Sequence, residues 1–228
     1  MKRISICCCL LFLLGMTVHT EAQLRFSILG DSYSTYGGYV TPETNACWYA
    51  GTDGGTEKQN DVSCVEQTWW HLLTTQHDMQ LDTNNSYSGS TICHTGYREQ
   101  DFSDRSFITR LHRLGRPEVL FVFGGTNDSW AGVPVGEYRF GGWSKQSLYA
   151  FRPAFSYLLS QLRELYPDTR IINITNTELS PEVTESMERI CRYYGIQNIR
   201  LHDIDKQWGH PSVAGMKQIC EQVWDAIR

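Results

Sequence analysis

Apolar positions along the chain gather into five short runs of strand length. Each is followed by turn-forming residues and then by a stretch of helical periodicity. The runs are 24–29, a weaker one at 79–83, then 119–123, 170–175 and 198–201. Such alternation predicts an α/β fold with a parallel sheet covered by helices. The third run, "VLFVF", is apolar at every position, as a central strand buried on both faces must be.

The helical stretches carry recognisable ends. Ser180-Pro181-Glu182 reads as an N-cap, a first-turn proline and an acidic residue favoured by the helix dipole, and Gly195 closes that helix. Val183, Met187, Ile190, Cys191 and Tyr194 share one face of it. In the last helix, starting after Ser212, Val213, Met216, Ile219, Val223 and Ile227 do the same. "SLYAFRPAFSYLLSQLRELY" is also helical, with Pro153 requiring a late start or a kink. A helix is expected over 65–77, and Trp69 and Trp70 within it are assigned to packing. Before it lies a long Gly-, Asn- and Asp-rich loop, 35–63, of a length uncommon unless functional or disordered.

The first 22 residues read differently. Lys2 and Arg3 precede an apolar run from Ile4 to Val18, and Thr20-Glu21-Ala22 places small residues at the −3 and −1 positions of a cleavage site. Residues 1–22 are therefore expected to be a signal peptide cleaved after Ala22, and 23–228 one domain in a secreted or periplasmic protein. No other segment approaches the length of a membrane span. Cys7, Cys8 and Cys9 lack the small preceding residue that a lipoprotein signal wants.

Composition narrows the partners. The formal charge of the chain is −5, and cleavage removes Lys2, Arg3 and Glu21, a net +1, which leaves −6. An acidic chain argues against a nucleic-acid partner. Five cysteines follow the cleavage site: Cys47, Cys64, Cys93, Cys191 and Cys220. An oxidising compartment would permit a disulfide, with Cys47 and Cys64 able to staple the long loop. None of the cysteines has zinc-site spacing, no metal or cofactor is implied, and oligomeric state is not readable.

In an open parallel sheet, ligands bind at the edge where the strands end, so the residues just after each strand are the ones to read. They are Gly30-Asp31-Ser32-Tyr33-Ser34 after the first strand, "NNSYSGST" (84–91) after the second, "GGTND" (124–128) after the third, and "DIDKQWGHPS" (203–212) after the fifth. Singly, Ser32, Gly89 and Asn127 read as turn residues and His210 as a residue leading into a helix. Jointly, and in this order, the four stretches resemble the characteristic blocks of the SGNH hydrolases, the GDSL esterase/lipase superfamily, over essentially the whole of 23–228. The resemblance implies a three-layer α/β/α sandwich around a five-stranded parallel sheet. It also implies Ser32 as nucleophile, His210 as general base, and an oxyanion hole from the Ser32 and Gly89 backbone N–H groups and the Asn127 side chain.

The chemistry suits those residue types. A serine hydroxyl needs a base to take its proton during attack, and a histidine titrating near neutrality supplies one. Negative charge developing on the carbonyl oxygen needs preorganised donors.

One departure stands out. The family carries an aspartate three residues before the histidine, and here that residue is Gln207. Three readings stay open: Asp205 orients His210, Gln207 or a backbone carbonyl does so in a Ser-His dyad, or the enzyme is impaired. His202 and His94 are rival bases, and Asp31 and Asp128 read as supports.

Aromatic residues crowd the loops around the expected site. Trp48, Trp130, Trp143 and Trp208 are the candidate substrate contacts, with filling of the core as the ordinary alternative for each. Flat faces beside polar groups suit sugar rings better than acyl chains. The expectation is a secreted serine esterase that removes a short acyl group, acetyl above others, from a carbohydrate. A lipid-directed esterase and a weakly catalytic carbohydrate-binding protein on the same fold are the alternatives.

Overall fold

The computed structural model describes residues 23–50 and 60–228; the signal-peptide expectation for 1–22 and the middle of the long loop lie outside them. The five strands are β1 (Arg25–Gly30), β2 (Gln80–Ser86), β3 (Val119–Phe123), β4 (Arg170–Thr175) and β5 (Gln197–Arg200). They form one parallel sheet in the order β2-β1-β3-β4-β5. Between them run α1 (Trp69–Gln76), α2 (Phe107–Arg110), α3 (Thr126–Ala131), α4 (Phe151–Leu165) and α5 (Pro181–Tyr194), with α6 (Val213–Ile227) last.

Alternation along the strands builds two cores. Phe26, Ile28, Phe121, Phe123, Ile172 and Ile174 face α1 and α6, where Trp69, Trp70, Met216, Ile219 and Val223 cover them. Leu29, Leu120, Val122 and Ile171 face the other way, against Phe107, Phe155, Leu158, Met187 and Ile190 of α2, α4 and α5. The result is a three-layer α/β/α sandwich, in which each fully buried large side chain contributes roughly 1.5–3 kcal/mol.

Several boundaries differ from the sequence pattern for physical reasons. The expected helix over 65–77 is a 3₁₀ turn at Val65–Gln67 and then α1, because Thr68 adopts extended backbone and caps α1 through its side chain. Pro153 sits in the first turn of α4, where its missing N–H costs nothing, so the helix starts late and does not kink. β2 runs on to Ser86 although its last residues are polar. Asn84 Nδ2 donates to the Ser34 carbonyl (2.9 Å) and Asn85 Nδ2 to the Arg113 carbonyl (3.1 Å), so their burial is satisfied.

Strand order locates the site. The chain passes from β1 outward to β2 and then returns to the other side of β1 for β3, so the order reverses between β1 and β3. A crevice opens at the carboxyl ends of strands at such a switch point. Gly30, Ser86 and Phe123 are in register across it, which brings the segments carrying Ser32, Gly89 and Asn127 side by side.

Candidate active site

β1 ends at Gly30, where any side chain would run into Ser86 and Ser34. Asp31 then caps a 3₁₀ turn, Ser32–Ser34, its carboxylate accepting from Tyr33 N (3.1 Å). Two buried tryptophans of α1 anchor this turn from below. Trp69 Nε1 donates to Ser34 Oγ (3.2 Å) and Trp70 Nε1 to the Ser34 carbonyl (3.0 Å). Core packing thus holds Ser32 in place.

His210 arrives on an element that the strand and helix periodicities did not predict. After β5 the chain makes a two-residue hairpin between β6 (Lys206–Gln207) and β7 (His210–Pro211). Trp208 and Gly209, at φ 54° and 72°, form the left-handed pair that matches the twist of such hairpins. Tyr33 Oη donates to the Gly209 carbonyl (2.6 Å), Tyr49 Oη to that of Pro211 (2.8 Å), and Asn60 Nδ2 reaches the carbonyls of Gln207, His210 and Pro211.

The hairpin sets His210 Nε2 2.9 Å from Ser32 Oγ, with both residues buried. On the other side of the ring, Nδ1 is 3.1 Å from the Trp208 carbonyl oxygen. A carbonyl only accepts, so that contact assigns the proton of the neutral ring to Nδ1 and leaves the Nε2 lone pair facing the serine hydroxyl. This tautomer is the one that can take a proton from Ser32 as its oxygen attacks.

Indole and phenol rings surround the imidazole. Trp48 stacks on it with ring centroids 3.6 Å apart and planes 6° apart, and Trp130 meets it edge-on at 5.7 Å. Tyr33 and Tyr49 lie at 5.3 and 6.4 Å. The first part of the long loop carries Trp48 and Tyr49 onto the histidine.

The other side of the crevice is a strap, 87–95, tied to α3. Gly89 has φ +77°, a conformation that favours glycine. Asn127, in the first turn of α3, donates from Nδ2 to the Ser90 carbonyl (3.0 Å) and accepts at Oδ1 from Tyr97 Oη (2.8 Å). Asp128 accepts from Ile92 N (2.8 Å) and Cys93 N (3.2 Å). Both aspartates therefore support loops. Burial pushes the Asp31 carboxyl up to about 7, against the Tyr33 N–H and the nearby Arg110 charge, and pushes Asp128 up to about 6.

Other expectations need correction. Asp205 does not face His210: its carboxylate accepts from Ser212 Oγ, which in turn accepts from Gly215 N (3.1 Å) at the start of α6. Gln207 is turned away as well, its Oε1 accepting from Asp61 N (2.9 Å). Among the described residues the acceptor for Nδ1 is the Trp208 carbonyl, because the tight hairpin folds that peptide back under the ring. His202 is exposed beside Asp203, and His94 bonds Ser106 Oγ (3.0 Å). Cys93 is buried, and burial holds its thiol well above its usual range. No disulfide joins the described cysteines, so the 47–64 staple is not formed. Trp143 packs edge-on against Tyr157 of α4 and makes no ring contact with His210, whereas Trp208 sits 64% exposed at the hairpin tip. Among the described residues no His, Cys, Asp and Glu side chains group to hold a metal ion, and no helix is long and apolar enough to cross a membrane.

Sequence reasoning missed Tyr33, Asn60 and Tyr97 as site supports. Tyr33 lies inside the first block, yet a phenol reaching a carbonyl 176 residues away has no local signature.

Comparison with known proteins agrees with this architecture. The family model for GDSL-like lipase/acylhydrolase matches residues 24–227, and the chain belongs to that family of hydrolases. A crystal structure described as a GDSL-like lipase from Bacteroides uniformis is 62% identical, with a TM-score of 0.88, over 91% of this chain and 96% of that one. A second, from Bacteroides ovatus, is 49% identical with a TM-score of 0.86, over 90% and 98%. An acetyl xylan esterase from Butyrivibrio proteoclasticus shares the fold at 14% identity and a TM-score of 0.56, over 90% of this chain and 63% of that one. None of the curated proteins compared with the chain matches it.

Proposed function

We propose that the protein is a serine esterase that removes a short acyl group, acetyl above others, from a carbohydrate outside the cytoplasm. The observation that carries the reading is the 2.9 Å contact between Ser32 Oγ and a His210 Nε2 whose lone pair is exposed by the Trp208 carbonyl on Nδ1. Ser32 attacks the ester carbonyl while His210 takes its proton. The oxyanion is received by the backbone N–H groups of Ser32 and Gly89 and by the second N–H of the Asn127 amide, each such donor being worth roughly 3–4 kcal/mol of barrier. His210 then protonates the leaving alcohol, and water, activated by the same ring, releases the acid from Ser32.

The imidazolium formed in between is stabilised by the Trp208 carbonyl dipole and by the π face of Trp48. Trp130 and Trp208, 45% and 64% exposed, offer flat surfaces of the kind sugar rings stack on. A pure binding role gains no support from Gln207, whose side chain is engaged with Asp61. Export would follow from the basic and apolar pattern of residues 1–22.

The test is hydrolysis of p-nitrophenyl acetate, butyrate and laurate by the parent and Ser32→Ala, with acetate release from acetylated xylan measured alongside. Turnover confined to the parent and falling with chain length is expected. Fatty acid release from lysophospholipid with no acetate from glycan would replace the carbohydrate reading by the lipid one.

A further inference from the structure

We propose that Tyr97 is a positioning residue for the oxyanion-binding amide of Asn127, an assignment that rests on the esterase reading above. The Ser90 backbone carbonyl can only accept a hydrogen bond. The end of the Asn127 amide that lies 3.0 Å from it must be the NH₂ group, and the end 2.8 Å from Tyr97 Oη must be the carbonyl oxygen. The phenol therefore donates. Together the two bonds fix the amide plane from both ends and leave one N–H of Nδ2 uncommitted to them. Without the phenol, one bond to Ser90 would remain, and the amide would be free to rotate about it.

The backbone around Tyr97 is built to present it. The segment is pinned at its base by an antiparallel bridge between Thr95 and Asp101, by Gly96 N to the Gln100 carbonyl (2.8 Å), and by Phe102 N to the His94 carbonyl (2.7 Å). Thr95 Oγ1 adds a bond to the Tyr149 carbonyl (2.7 Å). A side chain on Gly96 would run into the Phe102 ring. Immediately after Tyr97, Arg98 and Glu99 both adopt left-handed backbone, at φ 56° and 59°. Two consecutive non-glycine residues in this region are costly, and such strain persists where surrounding contacts over-determine it. Here those contacts aim the tyrosine at α3. Burial also pushes the phenol up to about 12, so it stays a donor throughout the pH range of an esterase.

A donor that matters only as charge develops on the carbonyl oxygen should affect kcat and not KM. Tyr97→Phe removes one oxygen and keeps the ring, so the fold has no cause to fail, and a melting temperature measured for each variant checks this. With p-nitrophenyl acetate, Tyr97→Phe is expected to lower kcat about tenfold, less than the loss of a whole oxyanion donor, with KM within about twofold of the parent. In the Asn127→Ala background the same change should lower kcat by no more than about twofold, since the group it positions is gone.

Parental kcat in Tyr97→Phe, a loss expressed in KM, or an undiminished loss in the Asn127→Ala background would each overturn the assignment while leaving the esterase reading standing. A parent no more active than Ser32→Ala would overturn the esterase reading and this assignment with it.

Discussion

Among the described residues, the peptide carbonyl of Trp208 lies 3.1 Å from Nδ1 of His210, on the side of the ring where many serine hydrolases place a carboxylate. In the proposed esterase this carbonyl would do the geometric part of an orienting group's task, selecting the tautomer and fixing the plane of the ring. Trp48, stacked at 3.6 Å, would add an electron-rich face to the ring as it becomes charged in that mechanism. Asp205 is occupied elsewhere, in the chain that runs through Ser212 Oγ to the first turn of α6. Asp205→Asn is therefore expected to keep kcat within about threefold of the parent and to lower stability by about 1 kcal/mol, a capping effect readable by urea denaturation. A hundredfold drop in kcat at unchanged stability would return Asp205 to the role of orienting acid.

On the scale of elements, the site depends on a hairpin of two residues per strand. A pair this short has little stability of its own; its hold comes from outside, from the hydroxyls of Tyr33 and Tyr49 and the Asn60 amide. Gly209 is its weak point. It sits at φ +72°, and a Cβ there would lie 3.2 Å from the Trp130 ring. Gly209→Ala should cost roughly 1–2 kcal/mol for the left-handed backbone. By shifting the Trp208 carbonyl and His210 together, it should also lower kcat by roughly ten- to a hundredfold. Steady-state kinetics beside thermal melts check both parts, and a stable variant with parental kcat would show that the hairpin tolerates the change.

For the molecule as a whole, the two buried carboxyls near the switch point make stability depend on pH. The Asp31 carboxyl, raised from 3.8 to about 7, and that of Asp128, raised to about 6, hold protons in the folded state that the unfolded chain has already released. Between about pH 4 and 7 the native state binds more protons than the unfolded one, so stability falls as pH rises, with a slope of up to about 1.4 kcal/mol per pH unit for each group. Below that window both states are protonated there, and above it the effect is constant. Denaturation midpoints taken from pH 4 to 8 should show this decline, and Asp31→Asn should flatten it. An unchanged slope would mean that Asp31 is ionised throughout, sustained by Arg110.

What could be read from the sequence alone was what repeats or lies close in the chain. Periodicity of two and of three to four residues marks which face an element must bury, so the five strands, the capped ends of α5 and α6 and the parallel sheet were legible, as was the set of polar blocks that a parallel sheet must gather on one edge. Tertiary structure decided what depends on distant partners. The Trp208–Gly209 turn is local, but its aim at Ser32 is set by Tyr33, Tyr49 and Asn60. Asp205 lies five residues before His210 in sequence, yet its carboxylate belongs to a helix cap. Tyr97 meets Asn127 across 30 residues through a strained loop with no periodic signal. Hydrogen-bond direction, unlike burial, leaves no imprint on the spacing of apolar residues, so the partners of His210 and Asn127 emerged only from the folded chain.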